Sequence, residues 1–175
     1  TKLAQAAVML QEVAAHFVDT PVVAVTDSWF GNNGLLKPMR EVVGSRFHLL
    51  SRLRSNAALY ALPPTRKAKQ RGRPRKYGQK LGSVADRAVT LRDLAKTYTV
   101  HLYGKSREVH ATDQVVMLKS LKCPVRVVWV FRKTRYVALF TTDLDLSVAQ
   151  IIEFYGARWK IESGFKELKQ DIGSQ

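Results

Sequence analysis

The chain has 175 residues, and 29 Lys and Arg against 14 Asp and Glu give it a net charge of +15 at pH 7. Its single cysteine, Cys123, excludes an internal disulfide and agrees with a reducing cytoplasm. There is no apolar run long enough to span a bilayer, and the first residues lack the pattern of a signal peptide. These features predict a cytoplasmic protein with a polyanionic partner.

The first predicted element is an amphipathic helix over residues 2–17, KLAQAAVMLQEVAAHF. Apolar residues recur there at intervals of three and four, so we expect them to face a core. The predicted core face consists of Leu3, Ala6, Ala7, Leu10, Val13, Ala14 and Phe17.

A short β-branched run, PVVAVT at residues 21–26, predicts a buried strand that ends at Asp27. A carboxylate at the carboxyl end of such a strand is held rigidly where solvent and substrate can reach a bound metal ion. The alternative is an Asp that only forms a turn. Residues 35–43, with Pro38 in the first turns, then predict a short helix, and residues 45–53 predict a strand.

The positive charge is concentrated in the middle of the chain, where no acidic residue occurs between Glu41 and Asp86. Residues 63–80, PPTRKAKQRGRPRKYGQK, are rich in Pro, Gly and cations, which predicts an exposed, extended loop. Residues 71–74, RGRP, resemble the core of an AT-hook, a minor-groove binding segment. A loop that grips phosphates without reading sequence is the favoured interpretation. The predicted DNA-binding residues of this loop are Arg71, Arg73, Arg75 and Lys76.

Four further strands are predicted in two consecutive pairs, and each pair is predicted to form a β-hairpin. Residues 98–103 and 107–112 flank Gly104-Lys105, and residues 125–132 and 136–141 flank Lys133-Thr134. Trp129 lies on the same side of its predicted strand as the apolar residues two positions away, because side chains alternate between the two sides. This arrangement favours packing in the core over stacking on a flipped base.

Two kinds of chemically suggestive side chain receive structural interpretations. Asp143 and Asp145 are interpreted as turn residues. The four histidines have no partners at the spacing of zinc ligands.

Ser147 is a predicted N-cap for the last helix, which we expect over residues 148–169. Tyr155, Arg158, Glu162 and Lys169 are offset by 3, 7 and 14 residues and so form one polar stripe within about 60° on a helix surface. The predicted core arc beside it consists of Phe154, Ala157, Ile161, Phe165, Leu168 and Ile172. Such a stripe suits phosphoryl transfer, because a carboxylate holds a divalent cation while cations and a phenol bind phosphate oxygens. The alternative is a solvated charged face.

Residues 151–173, IIEFYGARWKIESGFKELKQDIG, resemble the signature helix of the DDE transposases of bacterial insertion sequences, in the insertion-sequence-four-like group named for its Tyr-Arg-Glu-Lys motif. Residues 27–32, DSWFGN, are similar to the region of that family's second catalytic Asp. The resemblance implies that Asp27 and Glu162 are catalytic ligands of Mg²⁺, for which Mn²⁺ can substitute. It also implies that Tyr155, Arg158 and Lys169 bind the transposon end.

The fold that the resemblance implies is α/β, an RNase H-like mixed sheet with a β-rich insertion before the last catalytic helix. Residues 1–55 are then the first part of the core, residues 56–135 the basic loop and insertion, and residues 136–175 the last strand and signature helix. The family's site also needs an earlier Asp, but Glu12 lies within the first predicted helix and Asp19 in a turn. We therefore expect a chain that is incomplete at its N-terminus.

The implied activity is two-metal phosphoryl transfer, in which water or a 3′-hydroxyl attacks a phosphodiester in line. The expected partner is double-stranded DNA, as transposon ends and target, with a homo-oligomer forming on DNA in the bacterial cytoplasm and nucleoid. The chain alone is expected to bind DNA with little or no catalysis. Two alternatives remain: an RNase H-like nuclease without strand transfer, and a non-catalytic DNA-binding module or transposase relic.

Overall fold

The architecture comes from a computed structural model that describes residues 1–65 and 71–158. Its helices are α1 (Lys2–Ala15), α2 (Asn33–Val43), α3 (Val84–Leu91) and α4, of which residues 148–158 are described. Its strands are β1 (Val22–Thr26), β2 (Phe47–Arg52), β3 (Ala58–Tyr60), β4 (Lys80–Ser83), β5 (Lys96–Leu102), β6 (Lys105–Leu118), β7 (Cys123–Arg132) and β8 (Arg135–Thr141). Within the described ranges, no helix is both long enough and apolar enough to cross a membrane.

The eight strands form one open sheet in the order β1-β2-β8-β7-β6-β3-β4, with β5 paired to β6. β1 and β2 are parallel, whereas the other pairs are antiparallel. The predicted mixed α/β class is therefore confirmed. The sheet continues across the predicted boundaries at residues 55 and 135, and the division into three parts stays a prediction.

Helices cover both faces of the sheet. On one face, α1, α2 and α3 pack over a core that contains Leu49 and Trp129. On the other face, α4 packs over a second core that contains Leu50 and Val128. Adjacent residues of β2 and of β7 thus point to opposite cores, as the alternation of a strand requires.

Both predicted hairpins are confirmed by the antiparallel pairs β5–β6 and β7–β8. The first turn was predicted one residue too late, since Tyr103 and Gly104 lie between the strands with φ of 56° and 75°. Positive φ at both central residues gives a turn whose twist matches that of the strands, and glycine adopts it without strain. The second turn is formed by Lys133 and Thr134, as predicted.

Two expectations about the N-terminal elements are wrong in part. In α1, Ala7 and Ala14 are buried as predicted, but Val13 and Phe17 are 53% and 52% exposed. Phe17 lies beyond the end of the helix at Ala15, so its side chain no longer follows the helical periodicity on which the prediction was based. β1 was expected to be buried, yet only Ala24 is, because β1 pairs with β2 alone in the described part of the chain.

The N-terminus of α3 is closed by a capping box. The Oδ2 atom of Asp86 accepts hydrogen bonds from the backbone N–H and the hydroxyl of Ser83, both at 2.8 Å. Ser83 Oγ in turn accepts from the backbone N–H of Asp86 at 3.1 Å. These bonds, first of all the one from the backbone, lower the pKa of the Asp86 carboxyl.

Asp86→Asn is expected to lower the melting temperature at pH 7, because the carboxylate is the better acceptor. The folded pKa lies below the unfolded one, so this stabilisation is present above the unfolded pKa and is lost as the pH falls through the folded pKa. Melting curves of both proteins across acid and neutral pH measure the difference, and Asp93→Asn is the control. If the melting temperature of Asp86→Asn were lower by the same amount at every pH, the ionised carboxylate of Asp86 would not be responsible for the difference.

Candidate active site

Asp27 lies directly after β1, at the carboxyl end of a strand, as predicted. Its Oδ1 atom accepts hydrogen bonds from the backbone N–H groups of Trp29 at 2.9 Å and Phe30 at 3.3 Å. Its carbonyl oxygen accepts the hydroxyl of Ser51 at 2.6 Å. The residue is exposed, and its Oδ2 atom accepts no hydrogen bond from the residues that the structure describes. The side chain therefore forms a turn with one oxygen while the other faces solvent.

The alternation along β1 places Asp27 on the α4 face of the sheet. Val23 and Val25 pack against the core under α4, and Asp27 is the next residue of that series. In the parallel register the last pair is Thr26 with Ser51, so Asp27 and Arg52 each follow the end of the paired segment.

Helix α4 begins at the far end of the sheet and runs toward the end that carries Asp27. Ser147 caps it as predicted, because its hydroxyl accepts the N–H of Gln150 at 3.2 Å and the Gln150 side chain accepts the N–H of Ser147 at 2.9 Å. Farther along, Glu153 Oε1 accepts the backbone N–H of His101 at 2.7 Å. A Cβ atom on Gly156 would lie 2.4 Å from Leu102 Cδ2. Helix α4 therefore passes close to the end of β5 at Gly156.

The face that α4 buries differs from the one predicted. Its buried residues are Val148, Ile151, Ile152 and Tyr155, whereas the predicted core residues Phe154 and Ala157 are exposed. Tyr155, expected on a polar stripe beside the core, is only 8% exposed. The buried residues of the described part of α4 recur at spacings of three and four. The other predicted core residues, Ile161, Phe165, Leu168 and Ile172, lie outside the described residues. The signature stripe therefore begins on the side of α4 that faces the sheet.

Arg158 lies over the ring of Tyr155, with its Cζ atom 5.4 Å from the ring centroid. A guanidinium at this distance from an aromatic ring is within the range of a cation–π interaction. Tyr155 therefore supports Arg158 near the described end of α4. Glu162 and Lys169 lie outside the described residues.

Asp27 suits a hard divalent cation, since it offers a carboxylate oxygen that faces solvent. Residues 1–65 and 71–158 contain no cluster of three or more His, Cys, Asp or Glu that could hold a metal ion. Glu162, the other predicted metal ligand, lies outside these ranges.

Two predictions of structural rather than chemical roles are confirmed. Trp129 is fully buried and donates its Nε1–H to the carbonyl of Val84 at 3.1 Å. Asp143 Oδ1 accepts the backbone N–H of Asp145 at 3.0 Å, so the pair forms a turn before α4.

The basic loop leaves the sheet between β3 and β4, two strands that the sequence analysis missed. Its described residues Arg71, Arg73, Arg75 and Lys76 are exposed. The base of the loop is closed by two backbone hydrogen bonds, from Gly78 to the carbonyl of Ala61 at 2.9 Å and from Ala61 to the carbonyl of Gln79 at 2.8 Å.

Aromatic contacts reinforce this base. The rings of Tyr60 and Tyr77 are 5.8 Å apart, and Lys119 Nζ lies 4.2 Å from the centroid of Tyr60. Ring pairs and cation–π contacts at such distances are favourable. The predicted loop is thus anchored at its base while its cations remain exposed.

Gly78→Ala is expected to open the base of the loop, because the added Cβ would lie 2.4 Å from the carbonyl oxygen of Leu62. Relieving such an overlap costs about 1–3 kcal/mol. Faster tryptic cleavage after Arg71 and Arg75, followed over time, measures the effect. Gln79→Ala, which changes an exposed side chain, is the control, and equal cleavage of the two variants would contradict the anchoring role of Gly78.

Residues 1–175 match the model of the family described as Transposase DDE domain. No curated protein matches the chain. The open, mostly antiparallel sheet with helices is consistent with an RNase H-like transposase domain, so the predicted fold class is confirmed. Members of that family generally use divalent metal ions, and the family implies a DNA substrate.

Proposed function

The chain belongs to the family of transposase DDE domains, and from that premise we propose that it forms part of the catalytic domain of a bacterial insertion-sequence transposase of the Tyr-Arg-Glu-Lys group. The complete enzyme cleaves DNA at transposon ends and transfers the strands to a target, as a homo-oligomer and with Mg²⁺ as cofactor. The chain alone binds DNA with little or no catalysis.

One observation carries the proposal. Asp27 lies at the exposed end of β1 on the α4 face, and α4 runs toward that same end with Tyr155 against the sheet. Asp27 and the described first residues of the signature helix, separated by more than a hundred residues in sequence, therefore lie on one face and toward one end of the sheet.

The helical period extends this relation to Glu162. An offset of seven residues corresponds to two turns less about 20°, and to about 10.5 Å along the axis. From this sequence spacing alone, Glu162 is expected on the same side of a helix as Tyr155. Asp27 and Glu162 are in this proposal the two carboxylates of one metal site.

The cationic residues of the same helix hold the DNA end. Arg158 is supported on the Tyr155 ring, which limits its freedom and suits a guanidinium that grips a phosphate in two places. Lys169 continues the stripe by sequence spacing. The exposed cations of the basic loop, Arg71 and Arg73 among them, hold the duplex without reading its sequence.

Bound divalent ions supply Lewis-acid stabilisation of the attacking and leaving oxygens. The chain's own residues do the rest. The turn formed by Trp29 and Phe30 fixes the Asp27 carboxylate, so that its free oxygen keeps one direction. Arg158 neutralises a phosphate next to the scissile bond, and its support on Tyr155 reduces the ordering required when DNA binds.

Crystals of the chain soaked in Mn²⁺ test the shared site. The expected result is anomalous density between the carboxylates of Asp27 and Glu162. Glu162→Gln is the matched variant, because it keeps the shape of the side chain while removing its charge, and it is expected to lose that density. Ordered carboxylates that lie far apart would overturn the assignment and leave the non-catalytic DNA-binding module.

A further inference from the structure

A cleft of about 820 Å³ lies beside Asp27, between the β2–β3 loop and the β7–β8 turn. The cleft, which we call the arginine cleft, is lined among others by Ser28, Arg52, Arg54, Asn56, Thr134 and Arg135. None of these residues belongs to the signature helix or to the basic loop. None of them is among the residues predicted to be catalytic or to bind DNA.

The topology explains why these residues meet. Arg52 pairs with Leu139, and the N–H of Leu53 donates to the carbonyl of Ala138 at 2.8 Å. The chain after β2 therefore runs alongside the first residues of β8, toward the turn at residues 133–134. Ser28, next to Asp27 at the end of β1, completes the wall because β1 and β2 are parallel.

The charge of the cleft has no compensation within the described chain. Arg52, Arg54 and Arg135 are exposed, and their side chains make no hydrogen bond or ion pair with the residues described. Among the described residues that line the cleft, none is acidic. Three guanidiniums that converge on one cleft repel one another, and an anion that enters it removes that repulsion.

The β7–β8 turn is braced in its position. Arg92 donates from Nη1 to the carbonyl of Lys133 at 2.7 Å and from Nη2 to that of Thr134 at 3.4 Å, while its Cζ atom lies 4.8 Å from the centroid of the Phe131 ring. The guanidinium of Arg92 thus donates to carbonyl groups of the protein itself, whereas Arg132, Lys133 and Arg135 are exposed. The turn is thus a fixed support for cations.

We propose that the arginine cleft binds the phosphodiester backbone of a DNA strand as it passes Asp27, with Arg54 and Arg135 each contacting a phosphate. The proposal rests on the proposed function and adds to it a second DNA contact, formed by residues outside the basic loop. The neutral donors of the wall, Asn56 and Thr134, suit phosphate oxygens as well. Contacts to phosphates carry no sequence information, so the proposed cleft positions a strand without reading its bases.

The test uses the full chain and a labelled DNA duplex of about 30 base pairs, with affinity measured by fluorescence anisotropy over about 50–200 mM salt. Arg54→Gln and Arg135→Gln each remove one charge from an exposed side chain. Lys122→Gln is the matched control, since Lys122 is exposed in the β6–β7 turn at the opposite end of the sheet.

Each arginine variant is expected to reduce the slope of log affinity against log salt by about 0.9 and to weaken binding roughly eightfold near 0.1 M salt. The double variant is expected to lose about twice that slope, and Lys122→Gln to match the unaltered chain. If the arginine variants show the same slope as Lys122→Gln, the proposal of the arginine cleft is overturned. The proposed function still stands in that case, provided that the unaltered chain binds DNA. If the unaltered chain itself does not bind the duplex, the proposed function fails first.

Discussion

Asp27→Asn in the complete transposase is expected to reduce DNA strand cleavage and transfer by at least about 10³-fold in Mg²⁺. Loss of a metal ligand removes several kcal/mol of transition-state stabilisation, and each 1.4 kcal/mol corresponds to about a factor of ten. The amide keeps an Oδ1 atom that can accept the N–H groups of Trp29 and Phe30, so the turn persists. Affinity for DNA is expected to stay the same or to rise slightly, because a negative charge is removed.

Asp143→Asn provides the control for this substitution. Asp143 also forms a turn through Oδ1, and the same change of carboxylate to amide occurs there at a turn before α4. Cleavage assays under single-turnover conditions, with binding measured separately, compare the two variants. Equal activities would assign Asp27 to turn formation alone, which was the alternative interpretation of the sequence.

The elements predicted correctly are those whose signal is local. β7 and β8 are runs of β-branched, aromatic and other apolar residues on either side of a short polar turn, and Ser147 begins α4 with a capping pattern. β3 and β4 were missed because they have three and four residues and border the basic loop, where composition indicates no strand. Their pairing depends on β6, a contact that sequence periodicity does not encode.

The assignment of the candidate site stays a prediction. Asp27 was singled out because it follows a recognisable strand and its segment is similar to a family motif, and the signature helix because residues 151–173 resemble that of a transposase family. The side of α4 that faces the sheet was not predicted correctly, since the choice between Phe154 and Tyr155 depends on the core that receives them. The arginine cleft was missed for another reason. Arg54 and Arg135 are 81 residues apart in sequence, and only the register of β2 with β8 brings them together.

Trp129→Ala is expected to have the largest effect on stability of any single substitution considered for this chain. The indole is fully buried in the core beneath α3, and truncation of a buried Trp to Ala costs about 3–5 kcal/mol. The carbonyl of Val84 would also lose its hydrogen-bond donor. Against a typical total stability of about 5–15 kcal/mol, this loss unfolds a large fraction of the molecules in mild denaturant. Urea unfolding followed by circular dichroism measures it.

Trp29→Ala separates the loss of packing from the loss of an aromatic ring. Trp29 is 46% exposed, so its truncation is expected to change stability by no more than about 0.5 kcal/mol. Trp129→Phe keeps most of the apolar volume but not the N–H donor, and is expected to lie between the two. If Trp129→Ala instead retained full stability and bound DNA more weakly, the ring would have to leave the core to stack on a base. Because its Nε1–H is satisfied inside the protein by Val84, the structure favours the packing role.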